Sequence, residues 1–235
     1  MGSERLPRKV LLDIAGQTML ARVVRRLQSA RLVDEVVVAI PVSPANDGIA
    51  AECDKLGVRT VRGSEDDVLS RYVDAARASD ADVVVRVSAD SPFVDPEVCD
   101  LVIDAFLNAD PPVEYASNKL APSFPLGLDV EAFSREALDR AAGEAGAAFE
   151  RSHVTVYMYQ NPDRFSLLPV KSSSDRHTWR WTVDTPEDLK FARTVFERFG
   201  GRNDFSWREV VSLIEAEPDI AEINSHIEAK PISEG

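Results

Sequence analysis

The chain has 235 residues, 44% of them hydrophobic and 29% charged, and its formal net charge is -13. This size and composition are typical of a globular protein with one sizeable core, and the acidic excess argues against nucleic acid or an anionic membrane surface as a partner. No apolar run approaches the ~20 residues that span a bilayer. The two cysteines are expected to be reduced core thiols of a cytoplasmic protein, and the three histidines lack the spacing of a metal site.

Short apolar runs rich in β-branched residues alternate with amphipathic stretches, a pattern typical of an α/β fold with a mostly parallel sheet. The helical spacing of apolar residues predicts a first helix over 18–30, with Thr18 as its N-cap. The further helices predicted in this half cover 46–56, 66–78 and 96–108. The buried strands predicted between them cover 36–40, 58–61 and 83–87.

After residue 108 the pattern changes. Prolines and a glycine between 109 and 127 indicate loops around short strands. The elements predicted beyond them are strands at 128–133, 165–170 and 178–183 and helices at 134–142, 149–159 and 207–217. A further helix has Pro186 near its start and is capped by Asp184 or Thr185. We interpret residues 1–235 as one α/β domain with a loop-rich insertion.

The first nine residues have the pattern of a triphosphate-binding loop. Gly2 and Ser3 let backbone N–H groups approach phosphate oxygens closely. Arg5 and Lys9 can bring two cations to the same anion. A basic, loose N-terminus is the alternative interpretation of these residues alone.

Two aspartates follow predicted strands. Asp90 comes after the strand at 83–87, and Asp184 after the strand at 178–183. Ligands of open α/β sheets bind beyond the carboxyl ends of the strands, where two carboxylates could share one Mg²⁺ with a substrate phosphate. A turn or a helix cap is the alternative role for each aspartate.

Six motifs occur in order along the chain. They are Gly2-Ser-Glu-Arg-Leu-Pro-Arg-Lys-Val10, Arg62-Gly-Ser-Glu-Asp-Asp-Val-Leu-Ser-Arg-Tyr72, Val85-Arg-Val-Ser-Ala-Asp-Ser-Pro92, Gly127-Leu-Asp-Val-Glu-Ala-Phe133, Glu150-Arg-Ser-His-Val154 and Arg180-Trp-Thr-Val-Asp-Thr-Pro-Glu-Asp-Leu189. Through these motifs, Met1 to about Phe199 resembles the spore-coat polysaccharide branch of the cytidylyltransferase family. That family is related to CMP-sugar-acid synthetases and to phosphonate cytidylyltransferases.

The resemblance implies a Rossmann-like nucleotidyltransferase fold, with a mostly parallel central sheet flanked by helices. It also implies Mg²⁺-dependent transfer of CMP from CTP to a small anionic acceptor, with release of pyrophosphate. The regions it implies are a nucleotide-binding half at 1–108, an acceptor and homodimer region at 109–177, and a part with the metal strand and C-terminal helices at 178–235.

The resemblance also assigns residues. The catalytic set it implies is Arg5, Lys9, Asp90 and Asp184, of which Asp90 and Asp184 hold the metal ion. The nucleotide-binding set is Gly2, Ser3, Arg5, Lys9 and Ser88. Arg62, Asp67 and Arg71 match a segment characteristic of this branch, near the acceptor or the phosphates. The set on the acceptor side, or at a dimer contact, is Asn118, Gly127, Asp129, Glu150, Arg151 and His153. For His153, a hydrogen-bonded helix histidine is the alternative.

Two departures from the family pattern bear on stability. Arg8 stands where the family usually has glycine, which costs about 1 kcal/mol if the position needs a positive φ.

The family's first strand, which would precede Gly2, is missing from the sequence. Loss of about four buried apolar side chains would forfeit roughly 6–12 kcal/mol. We therefore expect the natural start to lie upstream and an extended chain to be markedly more stable; equal melting temperatures would contradict this.

The sequence does not decide the chemical class of the acceptor. A ulosonic or nonulosonic sugar acid is favoured by the family branch, with a phosphonate and a sugar 1-phosphate as alternatives. The basic residues compatible with either acid are Lys119, Arg151, Arg164, Lys171, Arg176 and Arg180. A non-catalytic nucleotide-binding relative is the alternative from another class, but such a protein need not keep the acidic and basic positions intact.

Overall fold

The strands form three sheets in the computed structural model, which describes residue 6 and residues 8–228. A short antiparallel hairpin joins β1 (Asp13–Ile14) to β2 (Gln17–Thr18), and β3 (Val37–Pro41) pairs in parallel with β4 (Arg59–Gly63). The third sheet has the order β5-β7-β6-β8, and its strands are β5 (Val83–Arg86), β6 (Tyr115–Ser117), β7 (Glu131–Ser134) and β8 (Leu167–Pro169).

Helices surround these sheets. Their bounds are α1 (Met19–Gln28), α2 (Asp47–Leu56), α3 (Val68–Ala78), α4 (Pro96–Leu107), α5 (Arg135–Glu144), α6 (Ala148–Ser152), α7 (Val156–Gln160), α8 (Pro186–Arg198), α9 (Trp207–Ala216) and α10 (Asp219–Glu222). Side-chain caps fix several of the starts: the hydroxyl of Thr18 accepts a hydrogen bond from Ala21 N, and that of Ser134 from Ala137 N. None of the described helices is long and apolar enough to cross a membrane.

The predicted α/β class is confirmed, and the four-stranded sheet is mixed. β7 lies between β5 and β6 and runs antiparallel to both, whereas β6 and β8 are parallel. Because β5 and β6 each oppose β7, they run in the same direction, and their carboxyl ends lie at the same edge of the sheet.

Three predicted elements differ from the structure. The helix predicted over 149–159 is two short helices, α6 and α7, because buried Val154 between them has a φ of 63°. The strand predicted at 178–183 forms a single bridge, Leu126 to Arg180. β7 begins at Glu131 and not at residue 128, because the side chain of Asn118 satisfies the backbone of Leu128 and Val130.

An aromatic core joins the strand ends to the C-terminal helices. The Phe93 ring packs against Trp181 at a centroid distance of 5.8 Å and against Phe191 at 5.7 Å. Backbone Val183 N also donates to Asp90 O at 2.9 Å. These contacts hold the segment after β5 beside the segment before α8, so Asp90 and Asp184 are brought to one place.

Candidate active site

One lysine bridges the two aspartates. Lys9 Nζ lies 2.8 Å from Asp90 Oδ2 and 2.7 Å from Asp184 Oδ1. All three side chains are partly buried, with exposed fractions of 15% for Lys9, 26% for Asp90 and 22% for Asp184. The structure therefore brings together three predicted catalytic residues, from three distant parts of the chain.

The bridging geometry depends on a strained turn before Lys9. Arg8 has φ 56° and ψ 25°, in the left-handed region, and Lys9 begins a short 3₁₀ turn that ends at Leu11. Position 8, where the family usually has glycine, therefore does have a positive φ. Arg8 adopts this left-handed conformation at a cost of about 1 kcal/mol.

A second cation orients Asp184. Arg180 Nη2 donates to Asp184 Oδ2 at 3.0 Å, and Arg180 Nε donates to Asp188 Oδ1 at 2.9 Å. Asp188 is fully buried and also accepts from backbone Thr185 N, while the hydroxyl of Thr185 caps α8 by accepting from Asp188 N. Of the two predicted caps, the hydroxyl of Thr185 therefore fills the role, which leaves the Asp184 carboxylate for Lys9 and Arg180.

The charges of the cluster favour a bound cation. Burial alone would lower the pKa of Lys9, but the facing carboxylates Asp90 and Asp184 outweigh this and raise it, so the ammonium ion persists. No group of three or more potential metal-ligating side chains occurs in the described part of the chain. Two carboxylate oxygens within hydrogen-bond distance of one ammonium nitrogen fit Mg²⁺, which usually takes one or two carboxylates and completes its shell with water and phosphate.

Of the nucleotide-binding predictions, Gly2, Ser3 and Arg5 lie outside the described residues. Ser88 lies in the loop after β5, and its carbonyl accepts from Ser91 N at 3.2 Å in the turn that carries Asp90.

The predicted acceptor-side residues fall into separate places. Asp67 caps α3 by accepting from Ser70 N, and it also binds Arg151 Nη2 at 2.6 Å. Arg62 instead pairs with Asp47 of α2 at 2.8 Å. The structure therefore joins Asp67 to Arg151 and directs Arg62 to the α2 side.

Further members of that predicted set are engaged within the protein. Arg71 Nη1 donates to Ser64 O at 2.9 Å. The Asn118 amide binds the backbone on the way into β7, and the Glu150 carboxylate accepts from Gly146 N and Ala147 N at the start of α6. Asn118 and Glu150 thus support local structure.

Asp129 and His153, two further residues of the predicted acceptor-side set, have buried or partly buried polar groups. Burial raises the pKa of Asp129, although nearby Lys119 acts in the opposite direction. The Nε2 atom of His153 is buried and has no hydrogen-bond partner among the described residues. At this nitrogen, His153 therefore lacks the hydrogen bond that its alternative role as a hydrogen-bonded helix histidine requires.

The comparisons with known proteins fit this geometry. A family model described as cytidylyltransferase matches residues 1–209. The chain belongs to the cytidylyltransferase family. It is a CTP-dependent nucleotidyltransferase, as the resemblance predicts.

Among curated relatives, the cytidylyltransferase is 32% identical over 228 residues to the spore coat polysaccharide biosynthesis protein SpsF of Bacillus subtilis, covering 94% of this chain and 93% of SpsF. It is 26% identical over 242 residues to the 3-deoxy-manno-octulosonate cytidylyltransferase of Chlorobium luteolum, covering 84% of this chain and 94% of that protein. The predicted family and its spore-coat branch are confirmed.

Solved structures show the same fold. A cytidylyltransferase from Leptospira borgpetersenii superposes with a TM-score of 0.91 at 28% identity, covering 98% of this chain and 95% of the other. CMP:2-keto-3-deoxy-manno-octonic acid synthetase, solved in complex with CTP, superposes with a TM-score of 0.63 at 18% identity, covering 84% of this chain and 95% of that chain, a likeness of fold alone.

A buried ionic cluster of this cytidylyltransferase is absent from the sequence-based site. Glu131 of β7 is 1% exposed, and its carboxylate binds Arg86 Nη1, Tyr115 OH at 2.6 Å and Thr155 Oγ1 at 2.6 Å. Arg86 chiefly offsets the burial of Glu131 and lowers its pKa from 4.5 to about 2. Arg86 and Glu131 each lie in one of the six motifs. A charged residue within a short apolar strand is the sequence signal that could have predicted their importance.

Proposed function

We propose that the enzyme transfers CMP from CTP to a sugar acid of the ulosonic or nonulosonic class, with Mg²⁺ held by Asp90 and Asp184. The observation that carries this proposal is the position of Lys9 Nζ between those two carboxylates. The ammonium group of Lys9 lies between the two carboxylates, so their oxygens face a position that favours positive charge.

The reaction needs no covalent protein nucleophile. The acceptor hydroxyl oxygen attacks the α-phosphorus of CTP and releases its proton to water, while the bond from that phosphorus to the bridging oxygen breaks and pyrophosphate leaves with the electron pair of that bond. When bound, Mg²⁺ neutralises phosphate charge and lowers the barrier to attack. Lys9 stabilises the charge that develops on pyrophosphate, and Arg5 has the same role by family position.

Other side chains set the geometry. Arg180 binds Asp184 and Asp188 together and so fixes the Asp184 carboxylate. Phe93 and Trp181 pack against each other and keep the segments that carry the two aspartates adjacent. Catalysis of this type consists mainly of positioning and charge neutralisation, which this arrangement supplies.

The acceptor class rests on similarity. One relative is named for 3-deoxy-manno-octulosonate, a ulosonic acid, and another for spore coat polysaccharide biosynthesis.

We further propose a cytoplasmic homodimer with contacts in 109–177, where Phe149 is 42% exposed. Light scattering after size exclusion would show a single mass of two chains if this is right.

The deciding experiment measures pyrophosphate release with Mg²⁺. CTP, ATP, GTP and UTP are each combined with sugar acids, phosphonates and sugar 1-phosphates. We expect release with CTP and sugar acids. Release with phosphonates alone would move the acceptor to that class. No release from folded protein across the panel would favour an acceptor outside these classes or a non-catalytic nucleotide-binding relative.

A further inference from the structure

Two cations, Arg86 and Lys119, lie at the carboxyl edge of the four-stranded sheet. Arg86 is the last residue of β5, and Lys119 follows the last residue of β6 by two positions. Asp90 comes four residues after Arg86, so the two Cα atoms lie at most about 14 Å apart. The backbone positions of Arg86 and Asp90 therefore lie near the same edge of the sheet.

Glu131 fixes the position of Arg86. It is the first residue of β7, and it pairs in register with Arg86 on one side and with Ser117 on the other. Its two oxygens accept hydrogen bonds from Arg86, Tyr115 and Thr155, with Lys119 Nζ 4.0 Å away. A carboxylate with this many partners holds the guanidinium in one orientation.

Both cations keep donors for another anion. The Arg86 guanidinium also interacts with the Tyr72 hydroxyl, but its buried Nε has no hydrogen-bond partner within the described ranges, and the Arg86 side chain is 17% exposed. Lys119 is 35% exposed, and its 4.0 Å contact with Glu131 is longer than a hydrogen bond. Asp129 also lies near Lys119, so the group contains two cations and two acidic side chains, and Lys119 is the more exposed of the two cations.

The arginines of the predicted acceptor region are engaged elsewhere. Arg151 binds Asp67 at 2.6 Å, Arg164 binds Glu144 at 2.6 Å, and Arg176 binds Glu215 at 2.6 Å. Arg180 is held by Asp184 and Asp188. Exposed Lys171 also lies near this edge, two residues after β8, but the cations placed around Glu131 are Arg86 and Lys119.

We infer that Arg86 and Lys119 bind the acidic group of the acceptor, and that Glu131 is the positioning residue that orients Arg86. This assignment rests on the proposed function for the identity of the acceptor. A planar guanidinium and a flexible ammonium suit a carboxylate or a phosphonate, and the bound acid would place its reacting oxygen toward the metal site at Asp90.

The kinetic test uses Lys119→Met and Arg86→Lys, with Lys190→Met as a matched control on the exposed face of α8. Arg86→Lys keeps a charge beside buried Glu131, so the variant should fold, but it loses the planar fork. We expect the KM for 3-deoxy-manno-octulosonate to rise about 10-fold or more in both, with the KM for CTP within twofold of wild type. Lys190→Met should match wild type in both constants.

A binding test separates this inference from the proposed reaction. Methylphosphonate is titrated into each folded protein and followed by ³¹P NMR, which needs no turnover. Binding by wild type and Lys190→Met, with weaker binding by Lys119→Met and Arg86→Lys, supports the anion site even if no pyrophosphate is ever released. An unchanged acceptor KM in both site variants, equal binding by all proteins, or no binding by wild type together with no turnover would overturn it.

Discussion

At the residue scale, the central feature is an ammonium ion shared by two carboxylates. Lys9 occupies a position between Asp90 and Asp184 that a divalent cation would also prefer, because the same oxygens face both. In the proposed reaction, Lys9 must leave at least one of these oxygens when the metal ion binds, and the triphosphate offers it new partners. The same side chain therefore competes with the metal and assists the leaving group.

Removing this competitor should tighten metal binding. For Lys9→Met, we expect Mn²⁺ to bind about tenfold more tightly than to wild type in the absence of nucleotide, a gain of about 1.4 kcal/mol. Electron paramagnetic resonance of free Mn²⁺ measures this directly, with Lys190→Met as the control. Equal Mn²⁺ affinity in wild type and Lys9→Met would show that the ammonium and the ion do not share a site.

Neutralising one carboxylate should abolish turnover. Asp90→Asn keeps the shape of the side chain but weakens its hold on a cation, so pyrophosphate release should fall by about 100-fold or more while the fold is retained. Asp82→Asn, at an exposed position before β5, is the matched control and should behave as wild type. An Asp90→Asn enzyme of normal activity would remove the metal assignment.

The sequence predicts some of these residues and misses others for a physical reason. Asp90 and Asp184 each follow an apolar stretch, and the edge of an α/β sheet is where such residues gather. Arg86 and Glu131 face each other across a strand pair, and strand register is set by tertiary packing that local pattern does not reveal. Charged partners that depend on register are therefore found only in the structure.

At the element scale, one glycine lets two segments approach closely. Gly127 has a φ of 105°, and a Cβ there would lie 2.7 Å from Thr182 N and 2.8 Å from the carbonyl carbon of Trp181. Next to it, Leu126 forms the single bridge to Arg180. This contact aligns the segment that leads to Asp184.

A methyl group at this position should disturb both stability and activity. We expect Gly127→Ala to lose about 2 kcal/mol or more of unfolding free energy and to lower kcat, because the backbone of Thr182 must shift. Urea unfolding and pyrophosphate release measure the two effects. Gly143→Ala, near the end of α5 with open space around it, should instead gain up to about 1 kcal/mol; equal behaviour of the two variants would contradict the close approach.

Helices with side-chain caps are predicted best from the sequence. Thr18 begins α1 and Thr185 begins α8 as expected, because capping is a local property of a few residues. The prediction of one helix over 149–159 is wrong. The apolar spacing there suits a single helix, but buried Val154 has a positive φ and divides the stretch into two helices. Tertiary packing overrides the local pattern there.

At the scale of the whole molecule, Glu131 links four parts of the chain. Its partners come from β5 through Arg86, from β6 through Tyr115, from the α6–α7 junction through Thr155, and from the segment after β6 through Lys119. Loss of its charge would leave Arg86 without its main partner, and such losses are costly in a buried setting.

The contribution of Glu131 should depend on pH. Its pKa falls from 4.5 to about 2 on folding, so the stabilisation is present above pH 4.5 and is lost as the pH falls toward 2. Glu131→Gln should be less stable than wild type by about 3 kcal/mol at pH 7, with a difference that shrinks from pH 4.5 downward. Urea unfolding at a series of pH values tests this, with Glu97→Gln at an exposed ion pair as the control. A difference independent of pH would refute the assignment.

The bridge at Lys9 also bears on the order of folding. Its hydrogen bonds span 81 residues to Asp90 and 175 residues to Asp184. Contacts between residues close in sequence form early, whereas contacts of such separation require that most of the chain be ordered first. On the ribosome, Lys9 and Asp90 emerge long before Asp184 is synthesised. The two carboxylates thus come within reach of one cation only after Asp184 has been synthesised.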